Sequence, residues 1–165
     1  MLNFRFEAPT AILFGKGQLD NLATEILKYS NRVLLVYGGG SIKKSGLYDK
    51  IADVLTKNGI FFKELSGVQP NPRVSSVREG VKIIREHNLG FVLAAGGGST
   101  IDCSKHIAAS VNYQGDPWDL IVKRLPVPEP LPIGTILTLA ATGSEMNAGA
   151  VISNDDTKEK LPFRD

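Results

Sequence analysis

Phe91-Val92-Leu93-Ala94-Ala95-Gly96-Gly97-Gly98-Ser99-Thr100-Ile101-Asp102 reads as a buried strand, a glycine turn and the first turn of a helix. Five apolar residues in succession, without alternation, predict a strand covered on both faces. The glycines permit a sharp turn and a close ligand approach, because no Cβ stands in the way. Ser99 suits the N-cap of the helix that follows. A helix start carries unpaired N–H groups and partial positive charge, so the turn is a candidate cradle for a nucleotide pyrophosphate. The spacing departs from G-x-G-x-x-G, which has glycine where this chain has Ile101. A tight strand-to-helix connection without a ligand is the alternative that this stretch alone leaves open.

Working outward, the same pattern occurs upstream, where Val33-Leu34-Leu35-Val36-Tyr37 runs into Gly38-Gly39-Gly40-Ser41. Leu19, Leu22, Ala23, Ile26 and Leu27 predict an amphipathic helix before it. Leu47, Ile51, Val54 and Leu55 predict one after it, stopped by Asn58-Gly59. A strand over 60–65 leads to Gln69-Pro70-Asn71-Pro72, a loop that its prolines hold extended. Val74, Val77, Val81 and Ile84 mark the next helix, and Ile101, Ile107, Ala108 and Val111 the one after the central strand. Asp116-Pro117-Trp118 opens a short helix, and 125–132, with four prolines, is a connection. Strands are predicted over 132–139 and 150–153. Two further short ones, 3–6 and 11–14, flank Pro9-Thr10 as a hairpin or edge ribbon. The tail, 154–165, is polar and offers no evident partner for its residues.

Repeated alternation of strand and helix predicts an α/β fold, a Rossmann-like, mostly parallel sheet with helices on both faces. Ligands bind beyond the carboxyl ends of such strands. Both glycine turns, Asn71 and the hydroxyl-rich 138–147 segment share that rim, which points to a dinucleotide site. A length of 165 residues with 42% apolar content fits one domain, taken as 1–165. The net charge of +2 is dispersed, and no basic block or basic-aromatic run suggests nucleic acid. No apolar run is long enough to span a membrane. The N-terminus lacks a signal peptide's basic region and apolar run, so a cytoplasmic location is expected. One cysteine excludes an internal disulfide and any multi-Cys zinc site.

Four stretches then resemble, in order, the iron-containing alcohol dehydrogenases. They are Val36-Tyr37-Gly38-Gly39-Gly40-Ser41-Ile42-Lys43-Lys44, Gln69-Pro70-Asn71-Pro72, Gly96-Gly97-Gly98-Ser99-Thr100-Ile101-Asp102, and 141–152, which opens Ala141-Thr142-Gly143-Ser144-Glu145-Met146-Asn147. The branch most resembled is that of butanol dehydrogenases and aldehyde reductases, and the resemblance covers essentially the whole chain. It implies the N-terminal domain of the fold shared by dehydroquinate synthase and these dehydrogenases. Gly39, Gly40 and Ser41 would then lie near the adenosine ribose and Asn71 beside the adenine. Gly97, Gly98 and Ser99 would hold the pyrophosphate, with Asp102 reaching toward the nicotinamide half. Thr138, Thr142, Ser144 and Asn147 would add cofactor contacts, and Lys160 would approach the ribose. The N–H and O–H donors among these suit phosphate oxygens. Asp102 has a second reading, as an acid favourable in a first helical turn without any ligand.

The resemblance also implies hydride transfer between primary alcohols and aldehydes, with iron, or zinc in some members, polarising the substrate oxygen. The family's ligands, one aspartate and three histidines, belong to an all-helical C-terminal domain expected to be absent from this chain. No metal ligand or catalytic residue is therefore assigned: His87 and His106 lack partners at a ligand spacing, and Cys103 reads as a packing residue. The expected partners are a nicotinamide dinucleotide, a small alcohol or aldehyde and a second copy of the chain. Lys43 and Lys44 beside an acid-free turn lean the cofactor toward NADP(H) rather than NAD(H), while a solvated helix face explains them equally well. Two other classes stay open: a metal-dependent lyase of the dehydroquinate synthase type, and a non-catalytic nucleotide-binding or oligomerisation module.

Overall fold

The computed structural model describes residues 9–164. Four strands, β1 (Arg32–Tyr37), β2 (Phe61–Leu65), β3 (Phe91–Gly96) and β4 (Ile133–Leu137), form a parallel sheet in the order β2-β1-β3-β4. The helices are α1 (Leu22–Leu27), α2 (Ser41–Lys44), α3 (Leu47–Lys57), α4 (Val74–His87), α5 (Gly98–Ser110) and α6 (Pro117–Val122). An antiparallel pair, β5 (Gly149–Asn154) and β6 (Glu159–Arg164), completes the chain.

The unalternating apolar runs do what their pattern demands. Val33, Leu35 and Tyr37 of β1 pack with Ile26 of α1 and with Ile51 and Leu55 of α3. Leu34 and Val36 face the opposite way, against Val77, Val81 and Ile84 of α4 and Ile107 of α5. Each such burial contributes about 1.5–3 kcal/mol, so the two central strands anchor both layers. Helix ends follow local chemistry. Gly59, at φ 68°, ends α3 with Ile60 N–H donating to Leu55 O, and Asn88, at φ 48°, ends α4 with Leu89 N–H donating to Ile84 O.

Three expectations need correction. The first concerns Ser99, which does not cap α5. Gly97 does, extended at φ −96°, with its carbonyl accepting from Thr100 N–H and Ile101 N–H; Ser99 lies inside the first turn. The second concerns 11–14, which are not a strand because no neighbouring strand pairs with them among the described residues; 3–6 lie outside the described residues. The third is the tail, which has a partner after all. All six residues of β6 pair with β5 in register, from Gly149 opposite Arg164 to Asn154 opposite Glu159. Its polar residues mask two core contacts, since Phe163 is buried and Leu161 packs against the same cluster.

Phe163 stacks on His106 of α5, ring centroids 4.6 Å apart. The His106 side chain is wholly buried, and its Nε2 lies 3.0 Å from Pro117 O. That carbonyl can only accept, so Nε2 carries the proton and Nδ1 is left without a partner among the described residues. Burial pushes the imidazole down to about 4, while its hydrogen bond to Pro117 opposes the shift. A histidine depressed in the folded state gives stability that is present above its unfolded pKa and lost as pH falls. Between pH 7 and pH 5 this group alone should cost about 2 kcal/mol. Urea midpoints measured at the two pH values should show that loss in the wild type and little of it in His106→Leu.

Candidate cofactor site

The sheet order creates the site. From β1 the chain leaves toward β2 on one side, and from β3 toward β4 on the other, so strand order reverses between β1 and β3. Their register, Tyr37 beside Ala95, sets Gly38–Ser41 next to Gly96–Ser99. A Cβ built on Gly38 would lie 3.9 Å from Thr100 Oγ1, so the two turns touch. A crevice outside the carboxyl ends at such a reversal is where open α/β sheets take ligands.

The glycines divide by what requires them. Gly38 is required by the fold, since its Cβ would come within 3.2 Å of Val68 O, and Gly96 because its Cβ would meet Thr100 Oγ1 at 2.6 Å. Gly40 is required by its φ of 110°. Gly39 and Gly97 are required by neither. Both have φ values that any residue adopts; a Cβ would meet nothing within 4 Å at Gly39 and only Leu139 Cβ, at 3.9 Å, at Gly97. At Gly98 a Cβ would face Thr142 Oγ1 at 3.0 Å. Open space beside a bare backbone suits a ligand laid against it. The N–H groups of Gly97, Gly98 and Ser99 find no acceptor among the described residues, and they point out of the start of α5.

The remaining candidates frame this floor. Asn71, in the left-handed region at φ 56°, donates its N–H to Ser99 Oγ at 3.3 Å and accepts from Lys160 Nζ at 2.6 Å. The β5–β6 pair thus reaches the rim through Lys160, and Ser153 N–H donating to Pro72 O secures it at 2.8 Å. Thr138 follows β4 directly, and its N–H donates to Gly96 O at 3.0 Å. Thr138, Thr142 and Asn147 are exposed, whereas Ser144 is buried.

Asp102 is already engaged within the protein. One carboxylate oxygen accepts from Ser144 Oγ at 2.5 Å and the other from Val151 N–H at 2.9 Å. One turn further on, Lys105 Nζ donates to Ser144 O at 2.8 Å, to Asn147 O at 3.1 Å and to Gly149 O. Its burial lowers the ammonium pKa, which Asp102, 3.9 Å away, and Glu145 oppose. The two charges on one face of α5 therefore tie down the whole connection from Ser144 to Val151. Sequence reasoning missed Lys105 altogether; its place three residues after Asp102 on a helix was the available signal.

Among the described residues no group of three or more His, Cys, Asp or Glu side chains could hold a metal ion. Cys103 is buried, and burial pushes its thiol up to about 12, which removes it as a nucleophile or ligand at neutral pH. The described residues therefore do not fit a catalytic metal, while the bare glycine backbone at the two turns leaves open space for a ligand.

Residues 9–165 match the family described as iron-containing alcohol dehydrogenase. The chain belongs to that family. It is 56% identical over 160 residues to the probable NADH-dependent butanol dehydrogenase 1 of Bacillus subtilis, spanning 97% of this chain and 41% of that protein. It is 45% identical to the NADPH-dependent aldehyde reductase YqhD of Escherichia coli, over 99% of this chain and 42% of that protein. The crystal structure of NADH-dependent butanol dehydrogenase A from Thermotoga maritima superposes with a TM-score of 0.94 at 45% identity, covering 99% of this chain and 41% of that one. The chain thus spans about two fifths of the length of these family members.

Removing the Lys105 charge should loosen the 144–149 connection. Lys105→Met leaves Ser144, Asn147 and Gly149 carbonyls without their donor and should cost about 2–3 kcal/mol in urea denaturation. A loss under about 0.5 kcal/mol would mean that water replaces the ammonium freely.

Proposed function

We propose that residues 1–165 form the nicotinamide dinucleotide-binding domain of an alcohol dehydrogenase that interconverts primary alcohols and aldehydes. The observation that carries this is the pair of glycines, Gly39 and Gly97, that neither packing nor backbone conformation requires, side by side at the strand-order reversal. The pyrophosphate would take the free N–H groups of Gly97, Gly98 and Ser99, where the helix dipole favours negative charge. Gly39, Gly40 and Ser41 would meet the adenosine ribose, with Asn71 and Lys160 at its edge. The nicotinamide would lie toward β4, against Thr138 and Thr142, with Asn147 beyond. Asp102, with both oxygens taken, would act by holding Ser144 and Val151 in place rather than by touching the cofactor directly.

When bound, the nicotinamide supplies the hydride acceptor or donor. The chain's own contribution is to bind it, orient it and fix the rim on which it rests. No described cluster of three or more His, Cys, Asp or Glu side chains could hold a metal to polarise a substrate carbonyl, so a metal electrophile would be held outside the described residues. A cytoplasmic location fits the single reduced, buried cysteine, and no described helix is long and apolar enough to cross a membrane. A homodimer fits the apolar Ile12 and Phe14, which are 67% and 94% exposed in a stretch with no partner strand among the described residues.

Two outcomes are expected. Titration of the chain with NADH, followed by nicotinamide fluorescence, should saturate. Gly97→Val should weaken binding at least about tenfold while leaving thermal stability nearly unchanged, because a Cβ there meets only Leu139 Cβ, at an ordinary 3.9 Å. Equal affinity in the variant would remove the glycine turn from the site. The chain alone should show no alcohol-dependent reduction of NAD or NADP.

A further inference from the structure

Next to the first glycine turn lies a charged cluster that the cofactor contacts above do not use. Tyr37 at the end of β1, Tyr48 of α3, Lys43 of α2 and Glu64 of β2 meet beneath α2, the single helical turn that follows Gly40. Both tyrosine hydroxyls donate to the Glu64 carboxylate, Tyr48 to Oε1 at 2.5 Å and Tyr37 to Oε2. The Lys43 ammonium rests over the two rings, 5.2 Å from the centre of Tyr37 and 4.5 Å from that of Tyr48, and 3.9 Å from Glu64 Oε2. The hydrogen bond to Glu64 pushes Tyr48 up to about 12, so its hydroxyl stays a donor.

Lys43 is thus not a free cation waiting for a phosphate. Its charge is balanced by Glu64, and aromatic faces hold its ammonium in place. Dinucleotide sites elsewhere discriminate at the adenosine 2′ position by placing an acid at the end of the second strand, where it accepts from the ribose hydroxyl. Here the turn assigned to the ribose follows β1, and Glu64 lies one strand further out, on β2 opposite Leu35, with its oxygens taken by tyrosines. Its influence on the 2′ position must therefore be a field rather than a hydrogen bond.

We propose that Glu64 is a specificity-determining residue of the cofactor site, cancelling Lys43 so that an unphosphorylated ribose is preferred and NADH binds better than NADPH. This rests on the assignment of Gly39–Ser41 to the adenosine ribose. A 2′-phosphate brings up to two negative charges and meets no net positive charge in the Lys43–Glu64 pair to hold it, whereas a hydroxyl needs none. Across water-exposed distances of several ångströms this difference amounts to about fivefold in relative affinity at low salt, and it shrinks as salt screens it.

The test is a parallel titration of the chain with NADH and with NADPH, at low and at high ionic strength. Wild type should favour NADH. Glu64→Gln, which keeps the size of the side chain and loses only its charge, should raise the NADPH:NADH affinity ratio about fivefold at low salt and less at high salt. Glu64→Asp, which keeps the charge and disturbs the tyrosine geometry, should leave the ratio near that of wild type. Lys43→Gln should move it the opposite way from Glu64→Gln. If Glu64→Gln weakens both cofactors equally, Glu64 is only a prop for α2 and the proposal is overturned. An unchanged ratio in all three variants overturns it as well. Absence of saturable binding of either cofactor to the wild type would instead overturn the dinucleotide site itself, and this inference with it.

Discussion

The parallel pairing of β1 with β3 is the constraint on which the rest depends. Both strands are buried on both faces, so neither can slip by a residue without repacking the side chains of both layers. That locked register sets two glycine turns side by side at the carboxyl rim, although they lie almost sixty residues apart in the chain. The connections then run outward in opposite directions, the arrangement at which open α/β sheets take ligands. The core and the candidate site are consequences of one pairing.

A floor of glycine needs walls that stay still, and polar contacts supply them. Asp102 and Lys105 lie close to the start of α5, and between them they hold Ser144, Asn147, Gly149 and Val151. Neither side chain is more than 18% exposed, so the contacts are shielded from water and the loss of one partner leaves the others unsatisfied. On the far side, Arg73 bonds Asp155 at 3.0 Å, and Ser153 pairs with the backbone before α4. The β5–β6 pair is thereby seated on the same helices whose N-termini border the crevice. Glu64, Tyr37 and Tyr48 join β2 to β1 and α3, and Lys43 of α2 rests over the two rings.

How much of this the sequence displayed follows from the kind of interaction involved. The runs at Val33–Tyr37 and Phe91–Ala95 carry their burial in composition, and the Asn58-Gly59 stop carries its left-handed residue. Those elements were legible, and so was the sharing of one rim by the glycine turns, because parallel sheets place all their carboxyl ends together. β6 was not legible, because only Leu161 and Phe163 of its six residues face the core, and Pro162 interrupts the strand signal. The cap was misplaced by two residues, and the Ser99 hydroxyl accepts from Asn71 N–H instead, a contact between segments 28 residues apart. Lys105 and Glu64 were passed over for a shared reason. Each looks like an ordinary surface charge until the tertiary structure shows carbonyls closing round the first and tyrosines round the second.

The central claim is that the two glycine turns together form the floor of a dinucleotide site. Backbone amide shifts in a ¹H–¹⁵N correlation spectrum of the labelled chain, recorded as NADH is added, test it most directly. The account predicts saturable shifts at Gly39, Gly40, Gly97, Gly98 and Ser99, with Gly59 and Gly90 at the opposite rim unmoved. Saturable shifts confined to Gly59, Gly90 and their neighbours would contradict it.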